Sequence, residues 1–133
     1  MDEPAARRLL GAARVGRLAT VTRQGRPHLV ALTFALEGDT AWTAVDAKPK
    51  RHPCLQRLRN IAANPHVSLL VDHFDEDWSR LWWVRADGTA RVHEAAEAGL
   101  ALLAEKYEQY RRDPPPGPVV EISVTRWRWW SAR

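Results

Sequence analysis

The chain has 133 residues, 45% hydrophobic and 27% charged; this fits one globular domain over residues 1–133 and is neither collagen-like nor charged enough for disorder. No run approaches the roughly 18 apolar residues of a membrane span, the opening MDEPAARRLL lacks the apolar core of a secretory signal, and the single Cys54 excludes an internal disulfide framework. A cytoplasmic protein is expected, and the net charge of +4 suggests an anionic partner without saying which.

Glu3 to Ala13 is rich in Ala, Leu and Arg and predicts a short helix, weakest at Gly11. Val15 to Val21 predicts a strand and Arg23 to Pro27 a turn. His28 to Leu36 (HLVALTFAL) is almost continuously apolar, which predicts a second strand buried on both faces. Glu37-Gly38-Asp39 turns into a third strand, Ala41 to Asp46, and the three read as a β-meander. Asp46 to Pro53 (DAKPKRHP) is irregular and basic. A helix follows from about Pro53 to Ala63, with Leu55, Leu58, Ile61 and Ala62 as its apolar stripe.

Val67 to Asp72 alternates as a strand, and His73 to Ser79 is an acidic loop carrying Trp78. Leu81 to Val92 is long and Trp-rich, with Asp87-Gly88 marking a bend or hairpin. From Glu94 to Arg112 the period becomes helical, and Ala96, Leu100, Leu103, Tyr107 and Tyr110 describe one buried stripe. Asp113 to Pro118 (DPPPGP) stops that helix, and Val119 to Trp130 is a final strand. Val120, Ile122 and Val124 share one of its faces while Trp127 and Trp129 share the other. A bulge is therefore expected near Arg126, or else a tail covered by another subunit. The order predicts a mainly β, α+β fold: a small antiparallel barrel with helices at its ends.

The common catalytic signatures are absent: no dinucleotide fingerprint, no phosphate-binding P-loop, no nucleophile elbow and no zinc-protease motif. Cys54 has no His or Asn at a recognisable spacing and reads as a small apolar residue in a first helical turn. The five histidines form no ligand ladder, and the carboxylates of Asp72 to Asp77 match no calcium loop, so no metal is expected. Charge is the strongest local signal, for Lys48, Lys50, Arg51, Arg57 and Arg59 put five cations into twelve residues leading into a helix. They read either as a solvated helix face or as a cradle for a phosphate, which a helix N-terminus also favours. The seven Trp are the second signal. They read either as core and dimer interface or as walls for a flat aromatic ligand. The sharper readings combine into a pocket for a ring system bearing a phosphate. A nucleic-acid module fits less well, because the cations concentrate in one loop and helix and do not track a strand face.

Several segments together resemble the pyridoxamine-5′-phosphate-oxidase-like split β-barrel family: VGRLATVTRQGRPHLVALTFALEGD, WTAVDAKPKR, LQRLRNIAANPHVSLLVDHFDEDWS and KYEQYRRDPPPGPVVEI. Within it the chain looks closest to the actinobacterial branch that uses the deazaflavin coenzyme F-420. The resemblance runs from Leu9 to about Trp130, and the basic loop into RNIAANP together with DEDWS are its most specific pieces. It implies a homodimer with cofactor sites at the interface and transfer of a hydride from reduced deazaflavin to a small planar unsaturated acceptor, with FMN as the alternative cofactor. A protein that binds such a cofactor without turnover is a further alternative. Carried over residue by residue, Trp42, Thr43, Ala44 and Val45 match the groove strand, and Lys48, Lys50 and Arg51 match the phosphate loop. Arg57 and Asn60 match the following helix, and Trp78 and Ser79 match a loop reaching the cofactor edge from the other subunit. Trp127, Trp129 and Trp130 stand where a tail can close the site. No catalytic residue is assigned; a proton comes from solvent, from Tyr107 or Tyr110, or from an unplaced His.

Overall fold

In the computed structural model, which describes residues 1–45 and 55–133, seven antiparallel strands form one curled sheet: β1 (Gly16–Val21), β2 (Pro27–Leu32), β3 (Ala35–Glu37), β4 (Thr40–Ala44), β5 (His66–His73), β6 (Trp82–His93) and β7 (Val119–Ser131). Their order across the sheet is β2-β1-β5-β6-β7-β4-β3, so the chain's second and third strands are its two edges. The helices are α1 (Glu3–Ala12), α2 (Gln56–Ala63), α3 (Glu97–Lys106) and α4 (Glu108–Arg112).

The concave face of the half-barrel holds the main core. Leu18, Leu69, Val71, Val84, Ala86 and Ile122 alternate inward from four adjacent strands, as period-two patterning requires. α1 closes one end. Asp2 caps it by accepting from the Ala5 N–H at 2.9 Å, and it buries Ala6 and Leu10 completely. α2 closes the other end with Leu58 and Ile61. A second core lies on the convex side, where Leu103, Tyr107 and Tyr110 pack over Ala35, Ala44 and Val119.

Three sequence expectations need correction. HLVALTFAL is not one strand buried on both faces. β2 ends at Leu32, the chain breaks at Thr33–Phe34, and β3 starts at Ala35 at the opposite edge. Val30 and Leu32 pack on the core, whereas Leu29 is 67% exposed, because the chain itself leaves the outer face of this edge uncovered. Asp87-Gly88 is not a hairpin; β6 continues through it, paired to β5 on one side and β7 on the other, and its register against β7 shifts between these two residues. The glycine is needed for close approach instead, since a Cβ at 88 would run into the Ser123 carbonyl. The helix over 94–112 is interrupted at Tyr107, whose backbone is extended (φ −118, ψ 120), although its stripe stays buried across the break.

The bulge expected near Arg126 is present. Asp87 pairs with Arg126 but Gly88 pairs with Val124, leaving Thr125 as the extra residue of β7. Val120, Ile122 and Val124 therefore share the inner face with Trp127 and Trp129, and the apparent change of sides disappears.

Candidate functional site

Two of the predicted residues, Arg57 and Asn60, lie on α2, which closes one end of the barrel, and Asn60 lines the groove beside it. Asn60 is 1% exposed and bridges helix to sheet: its Nδ2 donates to Thr20 Oγ1 at 2.9 Å, and its Oδ1 accepts from Gln56 Nε2 at 2.6 Å. Buried carboxamides survive only when satisfied in this way. The helix begins at Leu55 with no side-chain cap, so its first N–H groups have no side-chain acceptor among the described residues. Between α2 and the β1–β2 turn lies a groove of about 510 Å³ lined by Arg23, Gln24, Gln56, Arg59 and Asn60. Arg59 Nη2 donates to Gln56 Oε1 at 2.7 Å, which holds one guanidinium at its rim.

The end of β4 lies at the same end of the barrel, because Ala44 and His93 both pair with Val119 while Thr89, four residues before His93, pairs with His66, the first residue of β5. Its four predicted residues are packed by the chain itself. Thr43 is buried and donates from Oγ1 to the Thr33 carbonyl at 2.7 Å, and Val45 joins the main core. Trp42 and Ala44 lie under α3, where Gly99 leaves room for the indole that a Cβ would strike. Lys48, Lys50 and Arg51 lie outside the described residues.

Trp78 and Ser79 are not part of this cluster. They form a short 3-10 turn (Trp78–Arg80) beyond the far end of β5, with Trp78 69% exposed and Ser79 Oγ donating to Asp77 Oδ1 at 2.7 Å. Asn60 bonds Thr20, one residue past the Ala19–Ser68 pair, whereas the turn lies beyond His73. At about 3.3 Å per residue the two are roughly 20 Å apart. One chain therefore carries the two halves of the predicted set at opposite ends of its barrel.

The C-terminal tryptophans divide as the bulge dictates. Trp127 is 6% exposed, and its Nε1–H donates to Asp39 Oδ1 at 3.0 Å. That hydrogen bond, working against a smaller burial effect and helped by Arg7, holds the Asp39 carboxyl below its usual range. Trp127 and Trp129 are thus core residues, and only Trp130 points outward, 46% exposed. The tyrosines considered as proton donors are tied inward as well. Tyr107 OH donates to the Arg14 and Phe34 carbonyls, and Tyr110 OH bonds Thr33 Oγ1 at 2.8 Å.

Three features were not singled out from sequence. Arg23 and Gln24 read only as turn residues, and their approach to α2 is a contact across more than thirty positions that no local pattern signals. His28 stands opposite Thr20, and its Nδ1 is buried with no hydrogen-bond partner among the described residues. On the convex face a groove of about 700 Å³ crosses Ala19, Ser68, Arg85, Asp87 and Arg126. Burial there would raise the Asp87 carboxyl, but hydrogen bonds from Arg85, Ser68 and Arg126 and the Arg85 charge outweigh it and hold Asp87 below its usual range.

The family described as pyridoxamine 5′-phosphate oxidase matches residues 2–131, nearly the whole chain. The chain belongs to that family. Solved structures agree with this assignment. A conserved hypothetical protein of Mycobacterium tuberculosis is 26% identical, with a TM-score of 0.78 over 100% of this chain and 86% of that one. A heme-binding protein of Mycobacterium smegmatis is 25% identical with a TM-score of 0.74, over 94% of this chain but only 52% of that one. An FAD-binding protein of Mesorhizobium loti is 20% identical with a TM-score of 0.71, over 97% and 94%, and shows the fold alone. No curated protein matches the chain. Among its described residues no helix is long and apolar enough to cross a membrane, and no three His, Cys, Asp or Glu side chains gather as a metal site would need.

Proposed function

We propose that the protein is a flavin-type oxidoreductase working as a homodimer, with the deazaflavin coenzyme F-420 as its cofactor and a small planar unsaturated molecule as hydride acceptor. The observation that carries the reading is the arginine- and carboxamide-lined groove that runs along α2 from Gln56 to Ala63. Its volume lies within the roughly 300–1,000 Å³ of small-ligand sites, and guanidinium and amide donors are what a phosphate requires. The residues present therefore fit a phosphate-bearing ring.

When bound, such a cofactor supplies hydride transfer from its ring. The chain's part is binding and placement. Arg23, Gln56 and Arg59 hold the anionic end, assisted by Lys48, Lys50, Arg51 and Arg57 of the basic segment. The net charge of +4 suits a coenzyme with an anionic tail. With Tyr107 and Tyr110 committed to internal hydrogen bonds, the proton comes from solvent or from a histidine. The separation of the two ends supports the dimer reading. A two-fold axis lying across the strands of the convex face sets the Trp78 turn of one copy beside the α2 end of the other. That face exposes Leu29 and Trp130, as an unpartnered apolar surface would.

The test is a parallel titration of the purified protein with F-420, FMN and hemin, followed by Trp fluorescence quenching. The reading expects saturation with F-420 at one per chain, weakened about tenfold by Arg23→Ala or Lys50→Ala, the scale of one charge-assisted contact. Saturation by FMN alone moves the protein to the flavin branch, and hemin alone makes it a heme binder. Binding of none of the three overturns the cofactor reading.

A further inference from the structure

The barrel end opposite α2 carries a further cavity, next to the Trp78 turn that the cofactor reading sets at the cofactor edge. It measures about 370 Å³ and is lined by His73, Ser79, Arg80, Trp82, Ser131 and Arg133. Two observations give it a chemical preference. The first is a flat aromatic wall. His73 and Trp82 are cross-strand partners, and their rings stack with centroids 5.9 Å apart at 19°. The second is a pair of guanidinium groups on the rim. Arg133 is positioned by its Nε, which donates to the Ser79 carbonyl at 3.1 Å, leaving its two terminal nitrogens for another acceptor. Arg80 makes only a loose ion pair, 3.7 Å from Asp77.

The neighbouring acids do not cancel these cations. Asp75 Oδ1 accepts from the Asp77 N–H at 2.7 Å, and Asp77 Oδ1 accepts from both the Ser79 N–H and Ser79 Oγ. Asp77 Oδ2 faces Arg80 only at the longer distance, and Asp75 lies 4.0 Å from the His73 ring. Asp75 and Asp77 are thus engaged in part by the loop's own N–H groups, while Arg80 and Arg133 both line the cavity. A planar ring on the Trp82 wall with a carboxylate between the two arginines satisfies both features, because guanidinium forks match carboxylates in geometry as well as charge.

We propose that this cavity binds an aromatic carboxylate and is the acceptor site of the enzyme, so that its substrates are planar carboxylates and not neutral molecules. Its role as an acceptor site rests on the flavin-type reading, under which a second copy brings this end beside the cofactor. The binding itself does not.

The test uses the full chain without cofactor, benzoate as probe and benzamide as its neutral counterpart, read by the indole N–H signal of Trp82, which Trp82→Phe identifies. Benzoate is expected to shift that signal saturably and benzamide to bind at least tenfold more weakly. Arg80→Ala and Arg133→Ala are each expected to weaken benzoate about tenfold, the scale of one lost charge-assisted contact. Both side chains are at the surface, so the variants fold. Equal shifts by the two probes, no saturable shift, or indifference to both substitutions overturns the proposal. An F-420 titration of the same samples separates the two readings. Cofactor binding without benzoate binding removes the acceptor site alone, and benzoate binding without cofactor binding keeps the pocket but removes its role in hydride transfer.

Discussion

Lys106 is held by carbonyl oxygens and ring faces, not by a carboxylate. Its Nζ donates to the Ala13 carbonyl at 2.6 Å and the Phe34 carbonyl at 2.9 Å, and lies 4.1 Å from the Phe34 ring centroid. Burial, reinforced by the Arg14 guanidinium, pulls its pKa from 10.5 to about 8. Between pH 8 and 10 the unfolded chain thus carries a proton that the folded chain has released, and stability rises with pH across that window. Above it the trend reverses, because burial raises Tyr107 from its ordinary 10.0 and the fold then holds the extra proton. Denaturant melts at pH 7.5, 8.5 and 9.5 are expected to show stability increasing over this range, and the Lys106→Met variant a flatter profile. Asn60 shows the other way a polar residue is kept inside. It was read from the sequence only by resemblance, and the structure gives it a packing role between Gln56 and Thr20 whether or not a ligand is present.

Among the elements, the β6–β7 ladder decides the most. Gly88 faces the bulge, and a methyl group there would meet the backbone of Ser123 and Val124, which cannot turn aside as a side chain can. Gly88→Ala is therefore expected to cost about 1–3 kcal/mol, the range of overpacked sites, measurable as a lowered midpoint in urea with an unchanged slope. The elements most legible in the sequence are those whose hydrophobic period sets one buried face, such as Val67 to Asp72 and the Leu103–Tyr107–Tyr110 stripe, which stays buried across the break between α3 and α4. Even the bulge was visible, as a mismatch between Val124 and Trp127. What sequence could not show depended on pairing. Asp87-Gly88 has the composition of a turn, and only a neighbouring strand on each side keeps it within one strand. HLVALTFAL has the composition of a central strand, and only the barrel's closure sends its halves to opposite edges. The site was legible in the same measure: α2 and its Asn60 could be found, but the meeting of Arg23 with Arg59 depends on how a hairpin turn lies against a helix.

For the molecule as a whole, the proposed dimer would tie activity to association, because the α2 end and the Trp78 turn lie at opposite ends of one chain. Leu29, 67% exposed on the convex side of β2, belongs to the surface that a second copy would cover. Leu29→Glu is expected to halve the mass found by light scattering while leaving the far-ultraviolet dichroism unchanged, since the side chain touches no core residue. An unchanged mass would remove this face from the interface. The break at Thr33–Phe34 has a consequence for synthesis as well as for shape. It leaves the two uncharged, β-prone halves of HLVALTFAL as the two outermost strands, each with one row of backbone donors and acceptors that no strand of its own sheet pairs. A newly made chain thus presents its most aggregation-prone segment at its margins until something shields it.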